Sequence, residues 1–181
     1  MTNILDAVNG IFSTNLGDES NNPMHIGEVM NTWTYHIMLT EANRFAEMAL
    51  NTTNDNELKE ALKKSIIDCH NQADEIDNLF KNEGISMPPT SERKPHSDPN
   101  DIPIGAKMTD DEIANGISVK LVSALNFCTL GLTQSIRTDL ASMWLRFFLK
   151  RAEYSAYYMP IMKKRGWIKI PPYYYAPGNS K

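Results

Sequence analysis

Residues 81–89 read KNEGISMPP, and residues 163–172 read KKRGWIKIPP. Each stretch follows a long segment of helical periodicity, and its glycine suits the left-handed residue that commonly ends a helix. The prolines that come next prevent the helix from continuing. When Gly84 is aligned with Gly166, the two Pro-Pro pairs fall within one position of each other. The recurrence therefore predicts two copies of one helical unit, each closed by the same terminator.

Each unit is predicted to be a hairpin of two long helices. In hairpin one (residues 24–87), apolar residues recur at helical spacing on both sides of a polar turn at residues 51–55. In hairpin two (residues 109–166), Thr109 and Glu112 form a capping box, and Thr138 is the predicted N-cap of the last helix. The hairpins also match at two acidic positions, Glu28 with Glu112 and Asp55 with Asp139. Both acidic pairs have the same separation in sequence, which is slightly longer than the separation of the two glycines.

The apolar periodicity also predicts which side of each helix faces the core. For the first helix this side consists of Met30, Trp33, Ile37, Arg44 and Met48, with His36 and Thr40 beside it. For the fourth helix it consists of Ala141, Trp144, Leu145, Phe148, Ala152, Ser155 and Met159. Because methionine fills irregular gaps in cores, five methionines are predicted to be core residues: Met30, Met48, Met143, Met159 and Met162.

The segment between the hairpins, residues 88–108, is rich in proline and has no apolar period. An extended chain of this length reaches about 70 Å, whereas a helix of 25 residues is about 38 Å long. The segment can therefore return along the whole bundle, which gives the ferritin-like connectivity. We expect residues 1–181 to form one all-α domain, a ferritin-like four-helix bundle of two repeated αα-hairpins joined by a long crossover. A short N-terminal segment precedes it, and a tail (residues 167–181) follows.

The composition excludes several classes of protein. The 181 residues carry a formal net charge of −4 with Lys and Arg dispersed, so no basic face predicts nucleic-acid binding. The N-terminus lacks the basic and apolar regions of a signal peptide. The most apolar stretch, residues 118–135, contains Lys120 and several polar residues and favours a buried helix over a membrane span. Cys69 and Cys128 lack metal-ligand spacing and are interpreted as free, buried thiols in a reducing compartment.

Three features together resemble one known family: the Gly-hydrophobic-x-x-Pro-Pro tail, the helix start at residues 108–113, and the late Gly166-Trp167 before the second Pro-Pro pair. The chain resembles a ferritin-like family of uncharacterised proteins from spore-forming bacilli, related to spore coat protein F. The resemblance covers residues 27–172 and rests on structural caps and tails. It implies a spore-associated bundle, located in the cytoplasm or the spore coat, with no catalytic residues to carry over.

Ferritin-like bundles often hold two metal ions, whose ligands include a Glu-x-x-His motif on each of two helices. No glutamate of this chain is followed by histidine at that spacing. A lesser polar cluster remains, formed by Glu28, His36, His70 and Asp74. It is interpreted either as a mononuclear metal site or as ordinary surface chemistry, with His70 and Asp74 an exposed helix pair and His36 a hydrogen-bonded boundary residue. No cofactor and no catalytic residue is predicted.

The sequence favours a non-catalytic structural or interaction protein associated with the spore coat. It is expected to form a homodimer, or to bind other coat proteins, through the apolar surface of the third helix or the aromatic tail Tyr173–Tyr175. The alternative role for this tail is to cover the open end of the bundle together with Trp167 and Ile168. The alternative function is a metal- or small-ligand-binding bundle with a degenerate, non-di-iron site. A third hypothesis is a redox sensor that uses Cys69 or Cys128.

Overall fold

The computed structural model describes residues 22–87 and 89–175. In these residues the chain forms four long α-helices, which we number α1 (Ile26–Leu50), α2 (Asn56–Glu83), α3 (Asp110–Gln134) and α4 (Thr138–Arg165), and one short 3-10 helix (Ile104–Ala106). The prediction of an all-helical chain with four long helices is confirmed, and no strand occurs in the described residues. The predicted N-terminal segment and the last residues of the tail, 176–181, lie outside them.

The four helices form a bundle in which each helix is antiparallel to both of its neighbours. Helix α1 packs against α2 and α3, and α4 packs against the same two helices. The start of α1 meets the end of α3, where the Asn31 amide donates to Gln134 over 2.8 Å. The end of α2 meets the start of α4, where Glu83 pairs with Arg137 at 2.6 Å. Each contact joins the start of one helix to the end of another.

The crossover returns from the end of α2 to the start of α3 along the outer side of α1. Its Ser91 hydroxyl donates to Glu41 (2.6 Å), and the Lys94 amide donates to Glu47 (3.0 Å). One turn further along α1, the Asn51 side chain donates to the Pro95 carbonyl at 2.8 Å. The crossover is therefore held by side chains of α1.

Both hairpins end in the same terminator. Gly84 (φ 69°, ψ 24°) and Gly166 (φ 71°, ψ 20°) adopt the left-handed conformation after α2 and α4. In each case the next amide donates to the carbonyl five residues earlier, at 2.8 Å for Ile85 and 3.0 Å for Trp167. These two residues then pack against the core at opposite ends of the bundle. Gly84 and Gly166 therefore end their helices as the sequence predicts, each in the left-handed conformation that commonly follows a helix.

The predicted core face of α4 is wrong in part: Trp144 and Leu145 are buried as predicted, but most of its other members are not. Met159 is 44% exposed, and Phe148, Ala152 and Ser155 are only half-buried. The buried face instead consists of Leu140, Met143, Trp144, Leu145, Phe147, Arg151, Tyr154, Tyr158 and Met162. The tyrosines can be buried because their hydroxyls donate to main-chain carbonyls, Tyr154 to Ala61 and Tyr158 to Ala114.

The predicted core face of α1 is also wrong in part. Met30 is 59% exposed and Met48 is 40% exposed, so of the five methionines predicted to fill the core only Met143 and Met162 do so. The buried face of α1 combines apolar residues with polar ones: Glu28, Thr32, Tyr35, His36, Leu39, Asn43, Ala46 and Ala49. Thr138 is the first residue of α4 rather than its N-cap; that position is occupied by Arg137.

A buried carboxylate joins the two hairpins at one end of the bundle. Glu28, only 3% exposed, lies in the first turn of α1. One of its oxygens accepts the His25 amide at 3.0 Å and closes the capping box of its own helix. The other accepts the amides of Ile136 (2.9 Å) and Arg137 (3.1 Å) in the turn between α3 and α4. One side chain thus satisfies main-chain groups of both hairpins.

We expect Glu28→Ala to lower the free energy of unfolding by about 4 kcal/mol, because it leaves three main-chain donors without an acceptor in a largely buried position. Urea unfolding followed by circular dichroism measures this loss. Glu112→Ala is the matched control, since Glu112 closes the capping box of α3 in an exposed position. Water can replace that carboxylate, so only a small loss is expected. Equal losses in the two variants would contradict the role assigned to Glu28.

Candidate functional site

The predicted polar cluster lies mostly in one cleft. A cleft of about 410 Å³ opens between α1, α2 and the first residues of the crossover. Its walls include three of the four predicted residues, His36, His70 and Asp74, together with Asp77. The structure leaves Glu28 out of this cleft, at the end of the bundle, where its two oxygens accept main-chain amides.

His36 is the buried member of the cleft. It is 2% exposed, and its Nε2 lies 3.0 Å from Asp77 Oδ1, which is an ion-pair distance. Despite this short distance, neither ring nitrogen makes a hydrogen bond of good geometry to a described residue. Burial lowers the pKa of His36, while the nearby carboxylates of Asp77 and Asp74 act in the opposite direction. The imidazole is therefore neutral at neutral pH, the form in which histidine can bind a metal.

His70 and Asp74 form the exposed helix pair of the simpler interpretation. Their side chains are 64% and 53% exposed, and Nδ1 and Oδ1 are 3.4 Å apart. An exposed pair at this spacing contributes only a few tenths of a kcal/mol. Within residues 22–87 and 89–175, no group of three or more His, Cys, Asp and Glu side chains is arranged to hold a metal ion.

Sequence analysis missed a polar network at the centre of the bundle. Gln72 Oε1 accepts from Arg151 Nε (3.1 Å), Arg151 Nη2 (2.6 Å) and the Tyr35 hydroxyl (2.8 Å). The Cys128 thiol lies 3.5 Å from the same hydroxyl. The signal was present in the sequence, because Arg151 occupies a core position in the period that runs from Leu140 to Met162.

Both cysteines are free and buried, as the sequence predicts. Burial raises the pKa of the Cys128 thiol to about 11. Because the thiolate is the reactive form, this thiol is unreactive at neutral pH. The environment of Cys128 therefore disfavours the redox-sensor hypothesis for this residue.

Helix α3 turns an uncharged side toward solvent. Val119 is 67% exposed, Val122 56% and Leu130 40%. The hydroxyls on this side donate to carbonyls of their own helix, Ser123 to Val119 and Thr129 to Leu125, each over 3.0 Å. We call this surface the outward face of α3; its residues are Val119, Val122, Ser123, Asn126, Thr129, Leu130 and Thr133. Between Glu112 and Gln134 the helix carries one charge, Lys120, which lies over the Phe45 ring.

By length and composition alone, α3 could also cross a membrane; in the described part of the chain it is the one helix that meets this test. Its inner side is buried in the bundle through residues such as Ile113, Ile117 and Cys128. A helix in the core of a bundle can be equally long and apolar, so length and composition do not distinguish it from a membrane-spanning helix.

The aromatic tail does not cover the end of the bundle. Tyr173, Tyr174 and Tyr175 are 76%, 86% and 63% exposed. Trp167 and Ile168 pack against the core there instead. The covering role predicted for these two residues is confirmed, whereas the same role for the three tyrosines is wrong.

Residues 12–179 match the model of a family described as a protein of unknown function, DUF3231. A protein of Bacillus subtilis strain 168, named uncharacterized protein YvdQ, is 35% identical over 163 residues, which cover 90% of this chain and 94% of that relative. A crystal structure from Bacillus halodurans C-125, of a protein described as "a putative spore coat protein", has a TM-score of 0.84. It is 29% identical, and the match covers 87% of this chain and 99% of that one.

The depressed pKa of His36 predicts a pH dependence of stability. The unfolded chain binds this proton at its ordinary pKa of about 6.5, whereas the folded protein binds it at a lower pH. The contribution is therefore fully present above about pH 6.5 and is lost as the pH falls toward the folded pKa. We expect His36→Gln to reduce the loss of stability between about pH 6.5 and 5 in urea unfolding.

His70→Gln is the matched control, because His70 lies in the same cleft but is exposed. It should leave the pH profile unchanged. An NMR titration gives the pKa of His36 directly, and a value at or above the ordinary value of about 6.5 would contradict the prediction.

Proposed function

We propose that this chain, which belongs to the DUF3231 family of proteins of unknown function, is a non-catalytic structural protein of the spore coat. It assembles with a second copy of itself through the outward face of α3. The protein from Bacillus halodurans with a similar fold is described as "a putative spore coat protein", which supports the location.

The observation that carries the proposal is the chemistry of the outward face of α3. Two valines more than half exposed stand on a helix side without charge. Its hydroxyls already have acceptors in their own helix, so a partner surface does not leave them unpaired. Extended exposed apolar surfaces commonly mark protein–protein contacts.

The order of residues on this face fits a second copy of the same helix in antiparallel orientation. Asn126 stands at the middle of the face; Val122 and Leu130 lie four residues to either side, and Val119 and Thr133 lie seven. A two-fold axis through Asn126 therefore brings Val122 of one copy to Leu130 of the other, as isologous contacts require. The two Asn126 amides can then pair, since each carries a donor and an acceptor.

We further propose that the bundle is ferritin-like and arose by duplication of one hairpin. When hairpin one is aligned with hairpin two through their terminal glycines, the buried positions of α2 match those of α4: Leu58 with Leu140, Leu62 with Trp144, Cys69 with Arg151, and Phe80 with Met162. This alignment replaces the one suggested by the acidic residues alone. It also matches Asp55 with Arg137, which both occupy N-cap positions.

The ends of the bundle support the same alignment. Arg137 pairs with Glu83 at one end, and at the matching positions of the other end Asp55 pairs with Arg165 at 2.8 Å. The two ion pairs occupy equivalent positions with their charges reversed. Likewise, Glu28 binds the turn of hairpin two, and its counterpart Asp110 accepts from Thr53 in the turn of hairpin one at 2.6 Å.

The alternative function is a metal- or small-ligand-binding bundle. The observation in its favour is the cleft that brings His36, His70 and Asp74 together. Two observations count against a metal site in this cleft. The Nε2 atom of His36 already lies beside Asp77, and His70 pairs with Asp74 in an exposed position.

Native mass spectrometry of protein purified without a His-tag tests both functions. We expect a dimer without bound metal or organic ligand, and a monomer for Val122→Glu, because a carboxylate buried at the two-fold contact has no partner. Ile67→Glu is the matched control: Ile67 is 58% exposed on α2, outside the outward face of α3, and its replacement should leave the dimer intact.

A wild-type monomer at micromolar concentration would overturn the assembly proposal. A dimer that survives Val122→Glu but is lost on removal of residues 173–181 would transfer the contact to the aromatic tail. A bound metal or ligand mass that His36→Gln removes would favour the alternative function.

Localisation is tested by a fluorescent fusion in a sporulating Bacillus host. We expect the wild-type fusion to form a shell around the developing spore, and Val122→Glu to weaken that shell because each protomer then has fewer contacts with the layer. Ile67→Glu should behave like the wild type. Diffuse fluorescence of the wild-type fusion throughout sporulation would contradict the proposed role.

A further inference from the structure

A guanidinium group lies in the core of the bundle without an anion beside it. Arg151 is 3% exposed. Its hydrogen-bond acceptor in the described part of the chain is the amide oxygen of Gln72, a neutral group. Asp68, one turn before Gln72, forms no ion pair with Arg151, and its Oδ2 is itself buried without a partner in the described residues.

Two further polar groups of this network, Tyr35 and Cys128, are neutral as well. Burial raises the pKa of Tyr35 well above its ordinary value, and it raises that of Cys128 to about 11. Neither group is an anion at neutral pH. A buried charge without a counter-charge costs several kcal/mol, so the protein gains from any anion that can reach Arg151.

A small cavity adjoins this charge. It has a volume of about 30 Å³ and is lined by Arg151, Ser65 and Cys69 on one side. Apolar side chains of α1 and α3 form its other walls, among them Leu39 and Leu121. A buried water molecule needs roughly 10–15 Å³, so a particle of about that size fits.

We propose that this cavity is a binding site for one small monovalent anion of halide size. The anion lies against the Arg151 guanidinium, whose Nη1 makes no hydrogen bond to any described residue. The Ser65 hydroxyl lines the same cavity and is a second potential donor.

The charges that line the cavity suit an anion. Lys120 of α3 and Phe45 of α1 are among the lining residues, and Lys120 Nζ lies 4.9 Å from the centre of the Phe45 ring. Together with Arg151 the lining has two cations and no carboxylate, which attracts anions and repels metal ions. This inference is independent of assembly through α3, because the cavity faces the interior of a single bundle.

Bromide tests the site directly, because it is close to chloride in size and can be located by anomalous scattering. In crystals of the full chain soaked in sodium bromide, we expect one strong anomalous peak beside the Arg151 guanidinium. In solution, replacing gluconate by chloride at constant ionic strength should raise Tm by about 4 °C at ten times the Kd, since only the folded protein binds the ion.

Arg151→Met should remove the peak and the chloride effect on Tm. The matched control is Arg146→Met, which removes the same charge from an exposed position of the same helix; it should keep both. Because Arg151→Met risks misfolding, Ala42→Leu provides a second variant that keeps the arginine and fills the cavity from α1. It too should lose both signals.

A wild-type crystal without a bromide peak at Arg151, or a Tm that chloride does not change, would overturn the proposal and leave water as the occupant. So would a peak that persists in Arg151→Met or in Ala42→Leu.

Discussion

The carboxylate of Glu28 is the contact on which the arrangement of the two hairpins depends. The first amides of a helix have no acceptor in their own helix, and the turn between α3 and α4 also has amides that need one. The Glu28 carboxylate accepts hydrogen bonds from both sets of amides, and the residue is only 3% exposed. At the other end of the bundle, Asp110 accepts a hydrogen bond from the Thr53 hydroxyl and joins the hairpins in the corresponding place. The hairpins are thus joined by polar contacts at their ends and by apolar packing between them.

The centre of this bundle carries the opposite charge from the centre of a metal-binding bundle. In a metal-binding bundle, several carboxylates converge and require cations to balance their charge. Here the same region holds a cation of the chain itself, Arg151, together with the neutral side chains of Gln72, Tyr35 and Cys128. A buried cation of the chain itself repels metal ions. The lack of Glu-x-x-His motifs and the presence of a buried arginine in the period of α4 therefore both distinguish this centre from a metal-binding one.

Local signals predicted the parts of the fold that depend on local chemistry. The capping box at Thr109 and the two left-handed glycines follow from a few neighbouring residues, and the structure has them where the sequence placed them. The buried sides of α1 and α4 were predicted poorly, because tyrosines, Arg151 and Glu28 are buried only through distant acceptors and donors. One partner of Glu28, the Arg137 amide, belongs to the other hairpin. For the same reason the sequence grouped Glu28 with His36 and His70, although only the two histidines share a cleft.

The path of the crossover makes the two halves of the bundle unequal. In the alignment of the hairpins through their terminal glycines, the outward face of α3 corresponds to the side of α1 that includes Thr40, Arg44 and Met48. On α1 this side adjoins the crossover, which contributes Pro89, Lys94 and Pro95 to the clefts there. On α3 the equivalent side is exposed to solvent at Val119 and Val122. The chain thus covers one of two corresponding flanks with its own crossover and leaves the other open to solvent. This difference gives the bundle a direction, because its two long sides offer different surfaces to a neighbouring molecule.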